Sequence, residues 1–239
     1  MKFGGTSLAN EERIQNAAGL IAARADQNPV VITSAMSQIT NLLIATAHAA
    51  HTKDEQTVRD NLDLIREKHF TIAKSKDIRA EIETLIKKLE DRCQGIMMVE
   101  ELSPHTLDVI SSMGERMSSW LMVETLRNLG LQAKRFDSRE LVRTDKQFGA
   151  AEVNWNVTRK QIQSKVEPVN KANTIAVITG FVGSSEEGHT TTLGRGGSDY
   201  SAAIMGVCLG ASEIQIWTDV DGMMTSDPRL IKNARMLPK

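Results

Sequence analysis

The chain opens Met1-Lys2-Phe3-Gly4-Gly5-Thr6-Ser7, and a polar stretch then leads to Ile14, Ala17, Ala18, Ile21 and Ala22 at three- and four-residue spacing. A short apolar start, a double glycine and a helical stripe predict a strand, a glycine turn and a helix. A second unit of the same kind follows: Val30-Val31-Ile32 comes after Pro29, ends in Thr33-Ser34, and gives way to Ile39, Leu42, Leu43 and Thr46. Alternation of strands and helices points to a parallel sheet with helices on its faces, because parallel neighbours need a crossover connection.

Working outward, residues 54–129 offer almost no strand signal. Val58, Leu62, Ile65 and His69 form one stripe and Ile78, Ile82, Leu85, Ile86 and Leu89 a second. Leu107, Ile110, Met117, Leu121, Met122 and Leu126 form a third, in a long segment over 104–129, so three helices are expected and Gly130 closes the last. Residues 132–136 read as a short strand, Asp137-Ser138 as an N-cap, and 157–166 as a further helix. In the last third, the apolar run 174–179 reads as a buried strand ended by Gly180-Phe181-Val182-Gly183. A polar tip at 184–188 and Thr190-Thr191-Thr192-Leu193 make a hairpin-like return, followed by a glycine loop, a helix over 200–209 and a strand over 214–218. No internal repeat or interdomain linker is visible.

Composition narrows the function classes. The chain has 239 residues, 29 Lys+Arg against 30 Asp+Glu, and a formal net charge of -1. Near-neutrality without long basic runs argues against a nucleic-acid binder held by phosphate contacts. The short apolar runs supply neither a membrane span nor a signal peptide, so a cytosolic location is expected. Cys93 and Cys208 lie far apart with no metal-ligand spacing, and the five histidines form no catalytic signature. Aromatic content of 4% favours helix-rich α/β packing over an aromatic-cored sandwich.

Four elements could carry chemistry. In Lys2-Phe3-Gly4-Gly5-Thr6-Ser7, glycines after a strand let the backbone approach a phosphate, with Lys2 adding charge at the cradle's edge. It matches neither of the two familiar nucleotide fingerprints, and a Gly-Gly turn by itself is most often only a turn. The second element is Leu193-Gly194-Arg195-Gly196-Gly197-Ser198-Asp199. Here Arg195 can grip a carboxylate, Ser198 can cap the next helix, and Asp199 can orient a cation or simply favour the helix dipole. The third is Trp217-Thr218-Asp219-Val220-Asp221-Gly222 after a strand, with Thr225-Ser226-Asp227-Pro228-Arg229 beyond it; the bland reading is a pair of turns. The fourth is Met113-Gly114-Glu115-Arg116, where a helix-interior glycine costs about 1 kcal/mol and so suggests a close approach by ligand or backbone. Glu115 could pair with an ammonium or be an ordinary solvated acid. Two glycine-rich helix starts in one α/β chain favour phosphoryl chemistry more than either does alone.

Together KFGGTS at 2–7, SAMSQITN at 34–41, Gly114-Glu115, Phe148-Gly149, GFVG at 180–183, TTTLGRGGSDY at 190–200 and WTDVDGMMTSDPR at 217–229 resemble the catalytic domain of the aspartate kinases. These belong to the amino-acid kinase superfamily, and the likeness is greatest to the monofunctional, lysine-sensitive type. The resemblance runs in order along almost the whole chain. It implies an open, mostly parallel eight-stranded sheet between helices. The implied reaction transfers the ATP γ-phosphoryl group to the side-chain carboxylate of L-aspartate, the committed step toward lysine, threonine and methionine.

By the same resemblance, Lys2 neutralises the transferring group, the N–H groups of Gly4 and Gly5 hold it, and Asp199 organises the lysine. Thr40 and Glu115 contact aspartate, Glu115 at its α-ammonium. Arg195 grips the α-carboxylate, with Gly196, Gly197 and Ser198 lining the same loop. Thr6, Ser7, Thr218, Asp219, Met224 and Arg229 fall at the nucleotide, Met224 where the family commonly has Tyr. Mg²⁺ is expected to ride on the ATP phosphates, with no protein metal cluster. The expected partners are the two small substrates, with no nucleic acid or membrane, and with a homo-oligomer allowed. Residues 1–239 read as one kinase catalytic domain that stops before the family's next segment and carries no paired ACT regulatory domains. The alternatives are a kinase for another acceptor, such as acetylglutamate or carbamate, and an incomplete, non-catalytic binding fragment.

Overall fold

The computed structural model describes residues 1–218, 222, 224–226, 231 and 233–237, and its first two units fold as the spacing predicts. Strand β1 (Lys2–Phe3) passes through a 3₁₀ turn at Gly5–Leu8 into α1 (Glu11–Ala22), which Asn10 caps by accepting from Arg13 N–H. Strand β2 (Val30–Thr33) precedes α2 (Ile39–His51).

The segment expected to hold three helices holds four: α3 (Glu55–Phe70), α4 (Lys76–Val99), α5 (Pro104–Ser111) and α6 (Met113–Asn128). The long third stripe breaks at Ser112. There Ser111 Oγ donates to the Asp108 carbonyl at 3.2 Å and Ser112 Oγ to the Val109 carbonyl at 2.7 Å. Hydroxyls that bond back onto the ladder bend or interrupt a helix.

The rest of the chain adds β3 (Ala133–Phe136), β4 (Arg143–Thr144), α7 (Trp155–Lys165), the short α8 (Glu167–Lys171) and β5 (Ile175–Thr179). Strands β6 (Val182–Ser185) and β7 (Thr190–Thr192), helix α9 (Gly197–Leu209) and strand β8 (Ile216–Trp217) follow. The main sheet has the order β3-β5-β2-β1-β8 with every pairing parallel. Its period-2 alternation divides two cores. Phe3, Val31, Ile175 and Val177 pack with α1 to α6 on one face, while Ile32, Ala176 and Ile178 pack with residues of α7 and α9 on the other. No helix among the described residues is long and apolar enough to cross a membrane.

The mostly parallel sheet between helices is the expected architecture, but its described strands divide differently. Five lie in the main sheet, and β4, β6 and β7 form a separate three-stranded sheet in which β6 and β7 are an antiparallel hairpin. The chain leaves the main sheet at Phe181, whose backbone is left-handed at φ +68°. Phe181 N–H donates to Ser201 Oγ and its carbonyl accepts from Leu193 N–H, each at 2.9 Å. Those two bonds hold a conformation that a bulky residue adopts only at a cost.

Candidate active site

The C-terminal ends of β1, β2, β5 and β8 open into a cavity of about 530 Å³, the end of a parallel sheet where ligands bind. Lys2 points into it from β1, nearly buried, with Nζ 2.7 Å from Asp199 Oδ1. A Cβ on Gly4 would lie 3.5 Å from that Nζ, and one on Gly5 would lie 3.0 Å from the Ala35 carbonyl oxygen. The glycines therefore let this turn pass between the lysine and the loop after β2. Their backbone roles differ from expectation. Gly4 N–H is committed to the Trp217 carbonyl at 3.0 Å, tying β1 to β8, so it cannot also hold a phosphoryl group. Gly5 and Thr6 open the 3₁₀ turn and have no intrahelical acceptor for their N–H groups.

Helix starts add to this anion-seeking surface. Helices α1, α3, α4, α5 and α7 are each capped by a side chain: Asn10, Asp54, Ser75, Ser103 and Asn154. Helices α2 and α9, which begin at the cavity, have no side-chain cap and are entered through left-handed residues, Gln38 at φ +67° and Gly196 at φ +72°. The first turn of α2 presents Thr40 and Asn41 to the cavity. The positive end of the dipole is thus left to a ligand at two places. Ser198 is not the expected cap of α9. It sits inside the first turn, with its hydroxyl where a Cβ on Gly180 would be, 2.8 Å away.

The opposite wall carries Glu115. Its helix approaches so closely that a Cβ on Gly114 would lie 2.6 Å from Ala35 Cβ and 3.3 Å from Ile39 Cγ2. The neighbour that requires the glycine is therefore protein. Gly114→Ala should lower stability by about 1–3 kcal/mol through overpacking, read as a drop in the urea midpoint at unchanged slope. An unchanged midpoint would show that α6 can move aside.

Glu115 is 4% exposed, and its Oε2 has no hydrogen-bond partner. Burial pushes its carboxyl up to about 8, opposed only partly by the Ala35 and Glu115 backbone N–H groups. A buried acid with one oxygen unpartnered, lining a cavity, can receive a cation. Across the cavity the glycine loop holds Arg195 exposed at the rim, between Gly194 at φ +76° and Gly196.

Lys2, Gly4, Gly5, Thr6, Thr40, Glu115, Arg195, Gly196, Gly197, Ser198, Asp199 and Thr218 all line this one cavity. Ser7 lies on the 3₁₀ turn outside the lining, its N–H bonded to the Gly4 carbonyl at 3.0 Å, because that turn curls it away. Met224 also falls outside the lining and bridges to Met236. Asp219 and Arg229 lie outside the described residues. Sequence reasoning passed over Gln38 and Phe181, the two left-handed non-glycine residues at the cavity. Only the adjoining Gly180 hinted at the second. Among the described residues, no three His, Cys, Asp or Glu side chains gather as a metal site.

Uncapped helix starts, a buried lysine paired with a half-exposed carboxylate and glycine turns at the end of a parallel sheet define a site for anionic groups. The chain belongs to the amino acid kinase family, whose model matches residues 1–239. It is 39% identical over 241 residues to the lysine-sensitive aspartokinase 3 of Escherichia coli (strain K12), covering 99% of this chain and 52% of that protein. It is 35% identical over 244 residues to aspartokinase 2, chloroplastic, of Arabidopsis thaliana, covering 100% of this chain and 45% of that protein. The crystal structure of E. coli aspartokinase III in complex with aspartate and ADP (R-state) matches with a TM-score of 0.90 at 36% identity. The match covers 99% of this chain and 52% of that one. The chain thus spans about half the length of the curated relatives it matches.

Proposed function

We propose that residues 1–239 form the catalytic unit of an aspartate kinase, which moves the ATP γ-phosphoryl group to the side-chain carboxylate of L-aspartate. This would be the entry step to lysine, threonine and methionine. The observation that carries the reading is Glu115, a buried acid whose Oε2 has no hydrogen-bond partner, lining a cavity whose rim holds Arg195. The pair suits an acceptor with both an α-ammonium and an α-carboxylate, a combination that carbamate and acetylglutamate lack. The relatives' names and the bound aspartate and ADP in the E. coli structure support the same choice.

The acceptor carboxylate is already a nucleophile at neutral pH, so no general base is required. Its oxygen forms the new P–O bond, the bond from Pγ to the β,γ-bridging oxygen breaks, and ADP leaves with that electron pair. The protein positions two anions and screens their repulsion through Lys2, the Gly5 and Thr6 N–H groups and the start of α2. The donor set fits Mg²⁺ brought in on the nucleotide, since Asp199 is a half-exposed acid beside the lysine. When bound, the ion would spread charge over the phosphates.

The test is ATP-dependent acyl hydroxamate formation with aspartate, acetylglutamate or carbamate as acceptor. Turnover with aspartate alone is expected; turnover only with another acceptor would overturn the reading. Arg195→Ala should raise the aspartate KM about 100-fold with kcat little changed. A lost kcat at unchanged KM would remove Arg195 from the carboxylate.

A further inference from the structure

Asp108, on α5, is 4% exposed and lies outside the cavity lining. Its carboxylate accepts three hydrogen bonds from two distant segments. Oδ2 takes Gly149 N–H at 3.0 Å and Thr192 N–H at 2.9 Å, and Oδ1 takes the Thr192 hydroxyl at 2.8 Å. No Lys or Arg among the described residues pairs with it, so its charge is held mainly by these donors, with His105 nearby. A buried carboxylate is costly to keep, and an asparagine would be the cheaper structural choice. Both N–H groups reach Oδ2, and only the Thr192 hydroxyl, which can also accept, reaches Oδ1; an asparagine with its oxygen on the two N–H groups can therefore keep all three contacts, whereas an alanine keeps none.

What the three bonds fix is the base of the Arg195 loop. Thr192 ends β7, and its carbonyl accepts from Ala151 N–H at 2.9 Å. The next residue, Leu193, is tied to the Phe181 carbonyl at 2.9 Å. Gly149, on the other arm of the clamp, supports the loop from behind: a Cβ on Gly194 would lie 3.2 Å from the Gly149 oxygen. Past that support the loop closes as a tight turn, Gly197 N–H donating to the Gly194 carbonyl at 2.9 Å, with left-handed glycines at 194 and 196 on either side of Arg195.

We infer that Asp108 is a positioning residue for Arg195, setting the affinity for the acceptor's α-carboxylate from outside the site by clamping Gly149 and Thr192 together. The inference rests on the reading of Arg195 given above. It assigns acceptor affinity to a residue that contacts no substrate. Because the clamp meets neither Lys2 nor the start of α2, its loss should leave the nucleotide side unaffected.

The test measures aspartate Kd by calorimetry and both KM values for Asp108→Ala, Asp108→Asn, Thr192→Val and Thr192→Ser, with and without Arg195→Ala. Asp108→Ala, which removes all three contacts, should weaken aspartate by about tenfold or more, with the ATP KM within about twofold, while Asp108→Asn, which can keep them, should stay near wild type. Thr192→Val should give a smaller loss, and Thr192→Ser, which keeps the hydroxyl, should restore wild-type affinity. In the Arg195→Ala background the Asp108→Ala effect should vanish, which a general loosening of the fold would not produce. If Asp108→Ala does not fold, the Thr192 pair decides the matter. A folded Asp108→Ala with unchanged aspartate affinity, an equal loss on the ATP side, or an undiminished effect without Arg195 would overturn the inference. Arg195→Ala with unchanged aspartate affinity would instead overturn the reading of Arg195 itself.

Discussion

Lys2→Ala is expected to lower kcat by about 10²–10³-fold while changing aspartate affinity much less. Nζ lies 2.7 Å from Asp199 Oδ1 and beside the Gly4 backbone. In the proposed reaction it would lie where charge moves from an acceptor oxygen through phosphorus to the departing diphosphate. A cation fixed at that place interacts more strongly with the transition state than with either substrate, so its loss appears in kcat. Two features sharpen the test. Asp199 is about half exposed, so water can solvate it once its partner is gone, and the fold should survive the substitution. The proposed ammonium and α-carboxylate partners, Glu115 and Arg195, belong to α6 and the β7–α9 loop, so aspartate binding should keep its anchors. Calorimetry with aspartate beside steady-state rates decides it. A kcat within tenfold of wild type, or an aspartate affinity that collapses together with kcat, would remove Lys2 from the transferring group.

Much of this site was legible because its chemistry is local in sequence. The turn at Gly4-Gly5, the loop at Gly194–Gly197 and the strands that lead into them are marked by residues whose backbone freedom or apolar run has one physical reading. What stayed hidden depends on contacts between distant residues. Phe181 is left-handed because Ser201 and Leu193, 20 and 12 positions away, occupy its N–H and carbonyl; no propensity for phenylalanine suggests it. The break between α5 and α6 follows from hydroxyl back-bonding at Ser111 and Ser112, where the apolar stripe runs on without interruption. The family resemblance implies that the Gly4 N–H holds the phosphoryl group, yet in the fold it is taken by β8, a pairing fixed by sheet order. Asp108 meets Thr192 across 84 positions, with no motif linking the two. Residue types and short spacings thus located the cavity, while the partners of each polar atom had to come from the fold.

Glu115→Gln should pull stability and function in opposite directions. In the folded chain burial holds the Glu115 carboxyl at about 8, against an ordinary value of 4.5. Below pH 4.5 the acid is protonated both folded and unfolded, and it costs nothing. Between 4.5 and 8 the unfolded chain releases the proton while the folded chain keeps it. This group's contribution to native stability therefore falls by about 1.4 kcal/mol per pH unit across that window, and the penalty stops growing above 8. Glutamine carries no such penalty. The variant should match wild type near pH 4.5 and exceed it by about 3 kcal/mol at pH 7, a gain visible in urea melts. Aspartate binding should fall about 100-fold or more, because the α-ammonium would lose the buried counter-charge proposed for it. Binding to the wild type should also release a proton. At pH 7 the free site is mostly neutral and the occupied site carries the carboxylate, so affinity rises with pH toward 8 and then levels off. Calorimetry in buffers of different ionisation enthalpy reads that proton directly, and it should be absent in Glu115→Gln. A variant that melts below wild type at pH 8, or that binds aspartate equally well, would show that Glu115 has a partner in the native chain and is no receptor for an ammonium group.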